Sequence, residues 1–121
     1  MHEMSLMYEI ILLVSKDAKV RGFQKVTQIQ VIVGDLSNVL PDALESAFLY
    51  FCKEKAGLLN EQSQLTIIRE KVLTQCQSCL FTFEPDDRIA LCPKCNSLEG
   101  HIISGETFQV EFYEGSGGIE N

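Results

Sequence analysis

Four of the five cysteines lie in two closely spaced pairs, a spacing that is typical of a metal site. In the segment CQSCLFTFEPDDRIALCPKC, Cys76 and Cys79 form one Cys-x-x-Cys pair, and Cys92 and Cys95 form the other after twelve intervening residues. Each pair can turn both sulfurs toward one ion while the backbone N–H groups between them point at the thiolates. Four thiolates suit a tetrahedral Zn²⁺ at about 2.3 Å per bond and leave no position open for water or substrate. The pattern therefore predicts a structural zinc site rather than a catalytic one.

A metal is also expected because this segment has little else to fold around. Structural zinc sites supply apparent folding energies of roughly 10–16 kcal/mol, which a short segment with a small core needs. Its apolar residues are Leu80, Phe81, Phe83, Ile89 and Leu91.

Other uses of the cysteines and of the nearby histidine remain open at this level. A Cys₄ tetrahedron also holds iron, which makes a rubredoxin-like electron carrier the alternative metal protein. A thiol–disulfide redox site needs one Cys-x-x-Cys pair and has no use for a second pair at this distance. We expect Cys52 to be a small core residue on the apolar face of a helix, and His101 to be a solvated loop residue rather than a spare ligand.

The first three residues, Met1, His2 and Glu3, offer a second kind of metal site if the terminal amine is free. The amine and the amide nitrogen of His2 close a five-membered ring on a metal, and that amide and the imidazole Nδ1 close a six-membered ring. Fused rings impose a near-planar geometry, and an amide nitrogen binds only a metal that displaces its proton, so this set favours Ni(II) or Cu(II) over Zn²⁺. Glu3 can complete the square through its backbone nitrogen or a carboxylate oxygen. The alternative is an ordinary frayed helix start, where the positive end of the helix dipole favours Glu3.

The composition limits the chain to one compact unit, because 121 residues with 45% apolar residues leave no room for a second full-sized domain. The net charge of −7, with 10 Lys and Arg against 17 Asp and Glu and no basic run, argues against nucleic-acid binding. The apolar run from Ile10 to Val14 is far shorter than the roughly 20 residues of a membrane span, so we expect a soluble, untargeted, cytoplasmic protein. An enzyme is not expected, since the chain has only two histidines, no apparent Ser-His-Asp arrangement and no phosphate-binding glycine loop.

Hydrophobic periodicity predicts two helices and three strands. Apolar residues recur every three or four positions from Met4 to Arg21, and again from Pro41 to the residues before Gly57, which predicts two amphipathic helices. Alternation of apolar and polar residues predicts strands over KVTQIQVIVG and GETFQVEFYE, and the β-branched segment LTIIREKVLT predicts another strand between them.

The order strand, helix, strand forms a crossover unit, which makes the first two strands parallel. We expect the last strand to pair antiparallel with the strand that ends at Thr74, because the cysteine segment returns the chain close to where it left. The predicted fold class is α+β: a small three-stranded mixed sheet with two helices, plus an inserted Cys₄ zinc-ribbon or knuckle module. The expected domains are residues 1–75 with 104–114 for the terminal metal site, residues 76–103 for zinc, and a flexible Gly-rich tail over 115–121.

The MHEMSL start, the VGDLSNV strand end and the two cysteine pairs together resemble the HypA/HybF family of hydrogenase nickel-incorporation proteins. The resemblance extends over essentially the whole chain apart from the tail. It implies that Met1, His2 and Glu3 bind nickel as transient cargo, and that the four paired cysteines bind structural zinc. It also implies delivery of nickel to a [NiFe]-hydrogenase large-subunit precursor together with the GTPase HypB, and in some members to urease.

Two departures from the family pattern leave the nickel and zinc ligands in place, while a third removes an additional histidine ligand that some relatives supply. Gly34-Asp35-Leu36 stands where Gly-Glu-Leu is common, Asn96 follows the fourth cysteine where Gly is usual, and residues 89–91 lack the extra histidine of some relatives. The rival interpretation from the residues alone is a zinc-ribbon protein adaptor without a nickel role. We expect no nucleic-acid or membrane partner, and either a monomer or a weak homodimer.

Overall fold

The computed structural model describes residues 2–85 and 90–117. Met1, residues 86–89 (which include Ile89) and residues 118–121 of the expected tail lie outside the described residues. The predicted α+β class is confirmed, with two helices, a mixed three-stranded sheet and a four-cysteine module. The elements in chain order are α1 (His2–Val20), β1 (Lys25–Gly34), α2 (Pro41–Lys53), β2 (Gln64–Glu70), β3 (Leu73–Cys76), β4 (Thr82–Phe83), β5 (Gly100–Ser104) and β6 (Phe108–Ser116).

Both helices begin or end at residues that favour those positions. After α1, Gly22 adopts a φ of +86° and donates its N–H to the Lys19 carbonyl at 3.0 Å, a left-handed helix stop that glycine provides without a Cβ clash. Pro41 lies in the first turn of α2, where the helix has no use for the missing N–H. Among the described residues, α1 starts at His2 rather than at Met4, so His2 and Glu3 are part of the helix.

The main sheet has the strand order β2-β1-β6, with β1 in the centre. β1 and β2 are parallel, from Gln28 opposite Gln64 to Gly34 opposite Glu70, as the crossover rule predicted. The expected partner of the last strand was wrong, because β6 pairs antiparallel with β1. The reason is the route of the returning chain: Gly34 donates its N–H to the Thr107 carbonyl, which directs β6 to the free edge of β1.

The segment LTIIREKVLT forms two strands rather than the single predicted one. β2 ends at Glu70, and β3 begins at Leu73 in a second, antiparallel sheet of order β4-β3-β5. We call residues 73–85 and 90–104 the cysteine module. Its sheet therefore starts at Leu73 rather than at Cys76 and ends at Ser104.

The strand β6 is longer at its end than the sequence predicted. It runs to Ser116, which lies opposite Lys25 in β1. Gly115 and Ser116, which we expected in the flexible tail, therefore belong to the main sheet. A side chain at Gly115 would lie 2.8 Å from the Phe23 ring, which explains why this position is a glycine.

The core lies between the two helices and one face of the main sheet. Alternate residues of β1 are buried, which is the pattern of a strand covered on one face. Cys52 is 3% exposed within this core and burial raises the pKa of its thiol, which confirms its expected structural position. In the described part of the chain, no helix is long and apolar enough to cross a membrane. Other core residues include Met7, Ile11, Ala18, Ile29, Val31, Val33, Leu44 and Phe48.

Candidate metal centres

The four paired cysteines converge on one point. Their sulfur atoms all lie within 4.8 Å of one another, with 3.5 Å between Cys76 and Cys95 and 3.7 Å between Cys79 and Cys92. Four sulfurs at about 2.3 Å from one tetrahedral ion are about 3.8 Å apart, so the cluster matches the size of a zinc site. The separations are far longer than the roughly 2.05 Å of a disulfide bond, and all four thiols are free.

Two matching turns hold the cysteines in place. The Leu80 N–H donates to the Cys76 carbonyl and the Asn96 N–H donates to the Cys92 carbonyl, each at 2.9 Å. Leu80 and Asn96 both adopt left-handed backbone conformations, with φ of 66° and 63°. Asparagine is among the non-glycine residues that tolerate this conformation, so Asn96 can replace the glycine of the family pattern.

The pKa values of the Cys76 and Cys95 thiols are shifted in opposite directions. Backbone N–H groups of Cys79 and Ser78 lower the pKa of the Cys76 thiol to about 6 against the opposing effect of burial. At Cys95 the Ser97 N–H favours the thiolate, but the sulfur of Cys76 and burial outweigh it and raise the pKa to about 12. A divalent cation removes this conflict, because its charge allows all four sulfurs to be thiolates together.

His101 lies outside the four-sulfur cluster. It is on strand β5 opposite Gln75, whereas the neighbouring Gly100 lies opposite Cys76. Because successive side chains point to opposite faces of a sheet, His101 faces away from the cysteine side, and its Nδ1 lies 3.3 Å from Gln77 Nε2. The prediction that it is not a spare ligand agrees with this placement, while the prediction of a loop position was wrong.

At the amino-terminal segment, the structure describes His2 and Glu3, while Met1 lies outside the described residues. The His2 side chain is 59% exposed at the start of α1. Glu3 is only 7% exposed, and its Oε2 accepts the Leu40 N–H at 3.0 Å. That hydrogen bond holds the pKa of the Glu3 carboxyl below its usual value.

Glu3 therefore ties α1 to the loop that precedes α2, a role that the sequence analysis missed. The signal was present, since Glu3, Met7 and Ile10 share the apolar face of α1 at spacings of four and three. An acidic residue on an apolar helix face needs a hydrogen-bond partner, and here the partner is a backbone N–H 37 residues away. His2 Nδ1 lies 3.7 Å from the same carboxylate, which gathers the imidazole and the carboxylate at one point.

A family model described as hydrogenase/urease nickel incorporation, metallochaperone, hypA, matches residues 1–115. Similar curated proteins include the hydrogenase maturation factor HypA of Moorella thermoacetica, which is 35% identical over 95% of this chain and 99% of its own length. The protein of the same name from Aquifex aeolicus is 36% identical over 94% of this chain and 96% of its own length.

Two solved structures have a similar fold. A solution structure of a HypA protein has a TM-score of 0.67 and 29% identity, and covers 96% of this chain and 97% of that chain. The solution structure of the Ni metallochaperone HypA from Helicobacter pylori has a TM-score of 0.60 and 28% identity, and covers 93% and 96%.

Proposed function

Because the chain belongs to the HypA family of hydrogenase and urease nickel-incorporation metallochaperones, we propose that it carries Ni(II) as transient cargo for the maturation of a [NiFe]-hydrogenase. The observation that carries the proposal is the position of His2 at the first residue of α1 with an exposed imidazole. The first N–H groups of a helix have no intrahelical partner, so the amide nitrogens here are outside the helical hydrogen-bond ladder. Nickel can enter and leave such a site without opening the core.

The proposed nickel ligands are the Met1 amine, the amide nitrogen and imidazole of His2, and Glu3. The Glu3 carboxylate is buried and accepts the Leu40 N–H, so the backbone nitrogen of Glu3 is the donor left for the fourth position. Four nitrogen donors, two of them deprotonated amides, form a set that suits Ni(II) better than Zn²⁺. The carboxylate then serves as the tie that holds the terminal segment against the fold.

The proposed zinc ligands are Cys76, Cys79, Cys92 and Cys95. The separations of their sulfurs fit one tetrahedral ion, and a Zn²⁺ with four protein ligands has no open position for chemistry. The core of the cysteine module is small, consisting of Cys76, Cys92 and Phe83 with Ala90 packed against them. The metal therefore supplies much of the folding energy of this part of the chain.

The partners in this proposal are those of a protein that transfers a metal rather than transforms a substrate. The recipient is a [NiFe]-hydrogenase large-subunit precursor, and the GTPase HypB assists the transfer. Urease is a second candidate recipient, because the family is described as one of hydrogenase/urease nickel incorporation. The hydrogenase recipient is supported by the curated relatives, which are called hydrogenase maturation factors, whereas the GTPase rests on the resemblance stated above.

The two histidines of the chain allow a matched test. His2→Ala removes the imidazole of the proposed site, whereas His101→Ala removes an exposed imidazole on β5. We expect His2→Ala to abolish tight nickel binding in a calorimetric titration, while His101→Ala binds nickel like the unaltered chain and both variants keep one zinc per chain. Tight nickel binding by His2→Ala would contradict the nickel site, and loss of zinc from that variant would contradict the separation of the two sites.

A second candidate function is favoured by the surface of the cysteine module. Leu80 and Leu98 are each 67% exposed, and Ile103 is also exposed. Exposed apolar residues on a small metal module suit a protein-binding adaptor that has no nickel role. The same titration separates the candidates, since an adaptor has no reason to lose nickel binding specifically with His2.

A further inference from the structure

The two chain connections between the main sheet and the cysteine module run side by side. Residues 71–72 lead from β2 to β3, and residues 105–107 lead from β5 back to β6. Ser104 Oγ donates to the Lys71 carbonyl at 2.8 Å, which links the two connections at the module end. Any change in the angle between the two sheets requires these few residues to change conformation.

The Glu70 carboxylate links the connections at the end nearer the main sheet. Its Oε1 accepts the N–H groups of Gly105 at 2.8 Å and Thr107 at 3.2 Å, and its Oε2 accepts the Thr107 hydroxyl at 3.1 Å. One side chain at the end of β2 thus makes three hydrogen bonds to the returning connection. The Gly105 N–H leads the donors that hold the pKa of Glu70 below its usual value, as expected for hydrogen bonds that favour the charged carboxylate.

The backbone at this place is packed too closely for any side chain on the two glycines involved. A Cβ at Gly34 would lie 2.2 Å from the Gly105 carbonyl oxygen, and a Cβ at Gly105 would lie 2.9 Å from the Val72 Cα. Gly105 also has a φ of +114°, a conformation that side chains disfavour. The end of β1 joins the contact, because the Leu36 N–H donates to the Gly105 carbonyl at 2.7 Å.

Another charged contact near these connections is much weaker. Lys71 Nζ lies 3.8 Å from Glu84 Oε2, and both side chains are mostly exposed. Exposed ion pairs of this kind contribute little, because solvent screens them and ordering two long side chains costs entropy. Hydrogen bonds to a charged group contribute more than neutral ones, which leaves Glu70 as the principal side-chain tie.

We propose that Glu70 is a positioning residue that fixes the orientation of the cysteine module relative to the main sheet by holding the connection Gly105–Thr107. Without its carboxylate, the module keeps its metal and its internal structure but turns about the two connections. This tie is independent of whether the terminal segment binds nickel, so failure of one proposal leaves the other intact.

The test uses the full zinc-loaded chain and the variants Glu70→Ala and Glu70→Gln, with Glu106→Ala as the matched control. In Glu70→Gln, the side-chain oxygen can still accept the two N–H groups, and the NH₂ group can donate to the Thr107 hydroxyl oxygen. Glutamine therefore retains the tie. Glu106 is an exposed glutamate in the same connection. Residual dipolar couplings report the relative orientation of the two sheets, hydrogen exchange reports the Gly105 and Thr107 amides, and zinc is quantified.

We expect Glu70→Ala to accelerate hydrogen exchange at the Gly105 and Thr107 amides by about 10- to 100-fold. The residual dipolar couplings of its two sheets should require separate alignment tensors, and its zinc content should be unchanged. Glu70→Gln and Glu106→Ala should both keep the single orientation. A single orientation in Glu70→Ala, or an equal effect of Glu106→Ala, would overturn the proposal. If Glu70→Ala fails to fold, Glu70→Asp decides, because its carboxylate is one methylene shorter and withdraws from the two N–H groups: accelerated exchange at Gly105 and Thr107 supports the tie, and unchanged exchange overturns it.

Discussion

The pH dependence of nickel binding distinguishes the two ways in which Glu3 can complete the nickel site. If the fourth ligand is the Glu3 backbone nitrogen, nickel displaces two amide protons, one from His2 and one from Glu3. If the ligand is the Glu3 carboxylate, it displaces only one. The structure favours the first arrangement, because the carboxylate is buried and accepts the Leu40 N–H.

The magnitude follows from the number of protons displaced. Each amide proton that the metal displaces contributes about tenfold in affinity per pH unit, since an amide is protonated throughout the neutral range. Between about pH 7.5 and about pH 6, one amide therefore contributes about 30-fold and two contribute about 1,000-fold. Protonation of the terminal amine lowers the affinity further, so with two amide protons displaced we predict a total loss of more than about 1,000-fold.

The assay is isothermal titration calorimetry of the zinc-loaded chain with Ni(II) across this pH range, in buffers of different ionisation enthalpy. The buffer series counts the protons released on nickel binding at each pH and so separates the displaced amide protons from those of the other nitrogen ligands. His101→Ala serves as the control for the second histidine. An affinity that stays constant across the range refutes the terminal nitrogen ligands, and release of a single amide proton refutes the backbone nitrogen of Glu3 as the fourth donor.

Three further predictions concern the folded chain. Cys76→Ala should lose zinc and unfold the cysteine module while the main sheet persists, which zinc analysis and the NMR spectrum will show; retention of zinc would be inconsistent with a four-thiolate site. Leu80→Gly should stabilise the zinc-loaded chain by up to about 1 kcal/mol, because it relieves a left-handed backbone strain of about 1–2 kcal/mol at some entropic cost, whereas Asn96→Gly should be nearly neutral in denaturant unfolding. Gly34→Ala should destabilise the fold by about 3 kcal/mol in the same assay, since its Cβ would meet the Gly105 carbonyl oxygen at 2.2 Å; a loss below about 1 kcal/mol would show that the contact relaxes.

The sequence was a good guide where local periodicity decides the structure. The apolar stripe of α1 and the alternation in β1 depend on 3.6-residue and two-residue repeats, which are visible in the residues themselves. The convergence of Cys76, Cys79, Cys92 and Cys95 was equally visible, because two short pairs can close on one ion whatever fold surrounds them.

The partner of β6 was not visible in the sequence, because alternation identifies a strand but not its neighbour. That neighbour depends on where the returning chain emerges, and this is set by Gly34, Glu70 and Thr107 acting between distant segments. The break after Glu70 was hidden for the same reason, since nothing in LTIIREKVLT marks a turn. The tie between Glu3 and Leu40 also joins residues far apart in sequence. Its only signal in the sequence was the isolated charge of Glu3 on an apolar helix face.

The most direct test of the nickel proposal compares the unaltered chain with a version whose terminal amine is acetylated, using nickel titration and zinc analysis on both. Acetylation converts the amine into an amide and so removes the basic nitrogen that closes the five-membered ring, but it leaves every side chain in place. We predict that the acetylated chain loses tight nickel binding and retains its zinc. Equal nickel affinity in the two proteins would contradict a terminal nickel site and favour the zinc-ribbon adaptor.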